Sequence, residues 1–435
     1  MNKIMLLLGV VFFAQCPAGL AAEMDVAPMP QALVSLAAPV DPQALTLAEC
    51  YQLTLKRSET LAISTEQIKE AQARFLQALA GALPHASFVS QDIWQDGSGA
   101  SAFTLKHLPS RYFNISQTLF SGFKEIAATR GAKLEKRQRL EEKARVEQLL
   151  LVDVSDAFHL LLEQREDMAT VDAIRVALLE RMDELTEREK LGRSRASEVK
   201  TIEAQLRRTE ADLESARNKE TITRNLLEFL TGLDEIPAIT DTVIQLNPLD
   251  EEKTYLAKAD TRADVLAAQD AWKVSEKAVT VAQAKLWPTV TADGNYYTDR
   301  AGVSQDIKWD VTLKVTVPLF QGGEAVGGIQ EALSKSRQAR WHYVERQRSA
   351  ELDIENAYAR LRDAVTVNGL LEQALLAAEE SYQLQVEDYR RSLVNNLDVL
   401  QALQTLEGAR RDHIHALREA KRLYWQLRAA IGQTT

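Results

Sequence analysis

The chain has 435 residues, 46% of them hydrophobic and 26% charged, with a formal net charge of −10 and two cysteines. The acidic balance argues against a nucleic-acid partner, and no apolar run beyond the N-terminal leader reaches the roughly 20 residues a membrane helix needs. Only Cys50 lies beyond that leader, so no intrachain disulfide can form and a large buried surface must hold the fold.

Lys3, the apolar stretch from Ile4 to Phe13 and the small residues Ala18-Gly19-Leu20-Ala21-Ala22 predict a secretory signal peptide over 1–22. Gln15 stands where a lipobox wants Gly, Ala or Ser, which disfavours lipidation at Cys16. Residues 23–43 hold Pro28, Pro30, Pro39 and Pro42, a density that prevents a helix and leaves an extended arm. From Leu45 to Ala82 strong helix formers run without proline until Gly81-Ala82-Leu83-Pro84 stops them. Two strands follow, over about 85–95 and 111–119. In the second, Phe113, Ile115 and Leu119 oppose Asn114, Ser116 and Thr118; Phe88 and Trp94 mark the first, where alternation is weaker.

The longest helical pattern runs from Phe123 to about Lys190, a rod of roughly 100 Å at 1.5 Å per residue. Phe158, Leu161, Met168, Val171, Ile174, Leu178 and Leu185 repeat along it at spacings of three, four and seven. A shorter helix from Ser197 to Leu230 carries the seam Val199, Ile202, Leu206 and Leu213. Residues 233–249 read as a linker.

The remainder restates the first part. Leu119-Phe120-Ser121-Gly122 returns as Leu319-Phe320-Gln321-Gly322, 200 positions later, and Arg137-Gln138, Asp153 and Gly232 return as Arg337-Gln338, Asp353 and Gly432. Leu83-Pro84 matches Trp287-Pro288 at an offset four residues larger. A period this long is a duplicated domain and not a solenoid repeat, giving units over 44–232 and 250–435. The second unit predicts a helix from Asp250 to Leu286 and strands over 289–299 and 307–317. A rod from Ala325 to Tyr389 and a helix from Leu397 to Ile431, with seam Leu417, Ala420, Tyr424, Leu427 and Ile431, complete it. In its last strand Trp309, Val311, Leu313, Val315 and Val317 alternate strictly with Asp310, Thr312, Lys314 and Thr316.

Four strands cannot close a barrel, and lipid tolerates no open sheet edge. Other copies must therefore supply the missing wall, two or three chains giving eight or twelve strands. No catalytic constellation or metal-ligand cluster stands out. The six histidines (His85, His107, His159, His342, His413 and His415) read as surface side chains. Trp94, Phe113, Trp287, Tyr296 and Trp309 suit anchoring at a lipid interface.

Each rod is joined to its shorter partner by a turn in which helix propensity falls: Lys190-Leu191-Gly192-Arg193-Ser194-Arg195-Ala196-Ser197 and Tyr389-Arg390-Arg391-Ser392-Leu393-Val394-Asn395-Asn396. Ser197, and Asn395 or Asn396, are the expected N-caps. The ordinary reading of Glu198 and Asp398 is a solvated carboxylate in a first helical turn, favoured by the dipole.

The helix–strand–strand–helix–helix order, repeated, resembles the TolC-like outer-membrane efflux proteins over essentially the whole mature chain. The likeness rests on Leu83-Pro84 and Trp287-Pro288 where helix meets sheet, on Leu119-Phe120-Ser121-Gly122 and Val317-Pro318-Leu319-Phe320-Gln321-Gly322-Gly323 where sheet returns to helix, and on Thr261-Arg262-Ala263-Asp264-Val265. The last has alanine where the family has proline. The resemblance implies a mainly α fold with a small β part. It further implies a homotrimer whose twelve-stranded barrel in outer-membrane lipid continues as a helical coiled-coil tunnel across the periplasm. It implies a passive exit duct of a tripartite efflux or type I secretion system, without enzyme activity or cofactor, served by a periplasmic adaptor and an inner-membrane pump. On this likeness the tips that meet the adaptor include Gly192, Arg193, Ser194, Arg195, Arg391, Ser392, Leu393, Val394 and Asn395, and Asp398 and Glu198 face the pore constriction. Gln401 stands where the family has a second acidic residue, so such a ring is thinner here. Arginines Arg193, Arg195, Arg390 and Arg391 are expected to pair with acids of neighbouring chains or to remain solvated. The alternative is a soluble periplasmic coiled-coil scaffold whose β islands merely cap helices.

Overall fold

A computed structural model describes residues 44–242, 249–391 and 393–434. The expected signal peptide, the proline-rich arm and Ser392 lie outside the described residues. Among those described, the chain forms α1 (Leu47–Arg57), α2 (Glu59–Ala80), β1 (His85–Trp94), β2 (His107–Ser121), α3 (Lys124–Lys190) and α4 (Ala196–Thr231). The second half adds α5 (Glu252–Leu256), α6 (Ala263–Gln283), β3 (Thr289–Arg300), β4 (Trp309–Thr316), α7 (Glu324–Arg390) and α8 (Asn396–Ala430).

The helix expected over Leu45–Ala82 is broken in two. Ser58 leaves helical geometry with ψ 117°, and its side chain accepts from the Leu61 amide, so one residue ends α1 and caps α2. Thr46 starts α1 with a capping box closed by Glu49. The expected Asp250–Leu286 helix is likewise divided, by short 3-10 turns at Ala259–Thr261 and Ala284–Leu286. The break sits at Arg262, the residue equivalent to Ser58 at an offset of 204 positions. The 233–249 segment is pinned in the part that is described: Leu45 bridges in parallel to Ile239, and Ile236 enters the core.

Both rods, α3 and α7, are 67 residues long. The stripe read along α3 is buried almost throughout, with Phe158, Leu161, Val171 and Leu185 fully enclosed. α3 packs against α2, α4, α6 and α8, whereas α7 packs mainly on α6 and α8. The long flank of α7 is consequently bare, with Trp341, Leu352, Leu370, Leu376 and Leu384 all exposed.

The four strands form one antiparallel sheet in the order β1-β2-β3-β4, so pairing of β2 with β3 joins the two halves. The hairpins are equivalent residue for residue. Thr289↔Thr316 and Val290↔Val315 in the second become His85↔Ser116 and Ala86↔Ile115 in the first when β3 is shifted by 204 positions and β4 by 200. One face presents Phe113, Ile115, Tyr296, Trp309, Val311, Leu313 and Val315, each more than half exposed. The other face is polar and cross-bonded: Asn114 donates to Asn295 at 2.8 Å, Ser116 to Asp293 at 2.6 Å and Asn295 to Asp310 at 2.9 Å. This apolar–polar division is the pattern of a strand wall between lipid and an aqueous interior.

Candidate functional site

The turns that join each rod to its partner lie about 100 Å from the sheet, one full rod length away. At the α3–α4 turn Gly192 adopts a left-handed φ of 71°. Its amide bonds the Glu189 carbonyl, and the Arg193 amide bonds that of Arg188, a closed C-terminal cap that only glycine enters without strain. The helix then restarts at Ala196, with Arg195 at the cap position and no side-chain cap. Ser197, expected to cap, lies inside the first turn. The side chain that tightens the turn is Ser194, whose hydroxyl donates to Glu198 Oε2 at 2.8 Å.

The α7–α8 turn is better capped. Asn395 Oδ1 accepts from the amides of Leu397 and Asp398, and Asp398 Oδ2 accepts from the Asn395 amide. Asp398 is half-buried within this box. Asn396 is buried, and its Oδ1 accepts from Arg181 Nε at 2.9 Å. Leu393 is exposed, as is Leu191 at the other tip. Arg391 turns back on Glu387 of its own helix at 3.6 Å. Arg193, Arg195 and Arg390 make no ion pair among the described residues.

A set of residues not assigned from the sequence ties the two tips together. The Arg181 guanidinium lies over the Tyr389 ring, 3.8 Å from its centroid, and Arg188 donates to the Tyr389 hydroxyl at 3.0 Å. Glu184 pairs with both arginines, at 2.6 and 2.7 Å. Beneath them Leu178, Leu185, Ile202, Leu206, Leu400 and Leu403 form one apolar cluster drawn from α3, α4 and α8. The signal available in the sequence was the charged face of α3 in its last three turns, which pattern reading assigns to solvent.

At the opposite end, Trp94, Phe113, Tyr296 and Trp309 are exposed on the apolar sheet face. Trp287 is half exposed and lies outside the strands. It meets Phe120 and Phe123 edge-on, each at 6.4 Å between ring centroids. Gly122 permits this corner: a Cβ there would stand 2.6 Å from Trp287 Cβ.

A duplicated unit with an apolar-faced sheet at one end and paired helical tips at the other is the fold shared with outer-membrane efflux channels. Residues 257–433 match the family model described as outer membrane efflux protein. It is similar to the outer membrane protein TolC of Vibrio cholerae, 25% identical over 350 residues that cover 75% of this chain and 77% of the relative. Two solved structures share the fold at a TM-score of 0.78. CusC is 16% identical and VceC from Vibrio cholerae 21%, the match covering 89% of this chain in each case and 92% and 96% of theirs. The protein is accordingly an outer-membrane protein whose helices extend into the periplasm.

Proposed function

We propose that this chain is the outer-membrane duct of a tripartite efflux or type I secretion system. Three copies close a twelve-stranded barrel, and their helices continue as a tunnel across the periplasm. The observation that carries this reading is the sheet itself, apolar on one face, polar on the other and, among the described residues, unpaired at both edges. The bare flank of α7 supports it, because a rod buried on one side alone needs a neighbour along the other.

In this reading the duct is passive and needs no cofactor: it lowers a barrier while an inner-membrane pump supplies the energy. A periplasmic adaptor engages the tips around Gly192, Arg193, Ser194, Arg195, Arg391, Ser392, Leu393, Val394 and Asn395. Three-fold symmetry turns Asp398, and more weakly Glu198, into rings of carboxylates that favour cations at the constriction. The soluble-scaffold alternative is disfavoured because a water-exposed sheet would not present Trp309, Val311, Leu313 and Val315 together.

Membrane fractionation followed by native electrophoresis in detergent tests the proposal. The duct requires outer-membrane fractionation and a trimer; a well-behaved monomer recovered without detergent overturns it.

A further inference from the structure

We infer that β4 of one copy pairs with β1 of the next in the register that the chain's own duplication prescribes, with Lys314 directly opposite the neighbouring copy's Gln91. This rests on the trimeric reading above and names the residues that would seal it.

The two hairpins obey one pair of offsets, 204 positions for β1 to β3 and 200 for β2 to β4, at every position where both are paired from His85 to Asp92. The chain also contains one junction between its halves, β2 against β3. Applying the same offsets converts that junction into the missing one. Asn114↔Asn295 becomes Lys314↔Gln91, Ser116↔Asp293 becomes Thr316↔Val89, and Phe113↔Tyr296 becomes Leu313↔Asp92. The side-chain faces agree: Lys314 and Gln91 both fall on the polar face, as Asn114 and Asn295 do, so the Lys314 ammonium replaces the Asn114 amide as donor. A slip of one residue would set Lys314 on the wrong face.

Two features outside the strands follow the same rule. Phe120 packs against Trp287, and Gly122 makes room for it, but their copies meet nothing. Leu319 and Phe320 are 93% and 90% exposed, and a Cβ at Gly322 would have no neighbour within 4 Å. The offset carries Trp287-Pro288 onto Leu83-Pro84, so the neighbouring copy's Leu83, itself 51% exposed, covers that corner. On the helices, Arg137 of α3 binds Asp270 of α6 through two nitrogens. Their equivalents are Arg337, exposed and without a partner among the described residues, and Glu66 of the next copy, which is also acidic.

Cysteine pairs in the full-length chain test the register, with buried Cys50 left in place. Lys314→Cys combined with Gln91→Cys should give covalent trimer on oxidation, since directly opposed strand residues lie within disulfide reach. Lys314→Cys with Val89→Cys, two residues out of register, should not. Cross-linking in the second pair, or in neither while native trimers persist, overturns the register but leaves the trimer standing. Loss of native trimer in the unmodified chain overturns the reading beneath. As a second arm, Arg337→Glu should lower the temperature at which trimers dissociate, and adding Glu66→Arg should restore it; failure of the swap to restore it removes that ion pair.

Discussion

Asp398 Oδ2 accepts a hydrogen bond from the backbone amide of Asn395 at 3.0 Å, while Asn395 caps the amide of Asp398 in return. The carboxylate proposed for the constriction thus also closes the capping box that starts α8. Its position is fixed by backbone bonding, so three copies would present three carboxylates at one height. Asp398→Asn keeps the size and part of the cap but removes the charge. Divalent block of conductance in planar bilayers should weaken, while the cap loses about 1 kcal/mol or less. Unchanged block would take Asp398 out of the constriction.

The Arg181–Tyr389 stack ties the end of α7 to α3 within one chain. Cation–π contact at a partly buried site contributes about 1 kcal/mol, and the Arg188 bond to the Tyr389 hydroxyl adds to it. Tyr389→Ala should therefore loosen this tip and raise single-channel conductance, and Tyr389→Phe, which keeps the ring but loses the hydroxyl, should give an intermediate value. Equal conductance in all three proteins would show that this tie does not restrain the opening.

His159 is 1% exposed, and neither ring nitrogen has a hydrogen-bond partner among the described residues. Burial pushes its pKa down to about 3 from 6.5, opposed by Asp241 and reinforced by Arg418, Lys421 and Arg422. The folded protein therefore holds this imidazole neutral, while the unfolded chain takes a proton below about 6.5. The contribution is fully present above that pH and is lost progressively as pH falls toward 3. Thermal melts in detergent should decline across this window, and His159→Leu should flatten the decline. An identical slope in the variant would assign the acid sensitivity elsewhere.

Cys50 has no exposed surface, and its thiol is pushed up to about 12, chiefly by burial with Glu49 adding to it. It should resist a maleimide at pH 8 in the native protein and react once denatured. Fast labelling of the native protein would mean that the α1–α3–α4 core opens readily.

Arg262 is 1% exposed and grips Asp264 through Nε and Nη2 at 2.6 and 2.8 Å, with Asp353 at 3.0 Å. Burial acts to raise the Asp264 carboxyl, yet the guanidinium outweighs it and holds that pKa below the usual value. Arg262→Met leaves the acids without their cation and should cost about 3 kcal/mol in a denaturant titration. A loss below 1 kcal/mol would mean that water reaches the acids.

Most of the architecture was legible in the sequence because the duplication sets its boundaries twice. Alternation over Trp309–Val317 and the seven-residue spacing along α3 each have a single geometric reading. The features that escaped arise from contacts between distant segments. His159 lies beside Phe158 but off the narrow stripe; it is buried because α3 is enclosed by several helices, which widens its apolar face beyond a coiled-coil seam. Ser58 breaks a run of good helix formers, a local hydrogen bond prevailing over propensity. Tyr389 stood in view within its turn, yet its arginine partners lie about 200 positions away in sequence, and no local pattern joins them.

The equal length of α3 and α7 has a mechanical corollary. Two hairpins that leave one sheet and run the same number of turns finish flush, so a three-fold assembly would offer a docking partner six loops on a level rim. Lengthening one rod by a heptad would set its loop about 10 Å proud of the other, leaving alternate footholds out of reach.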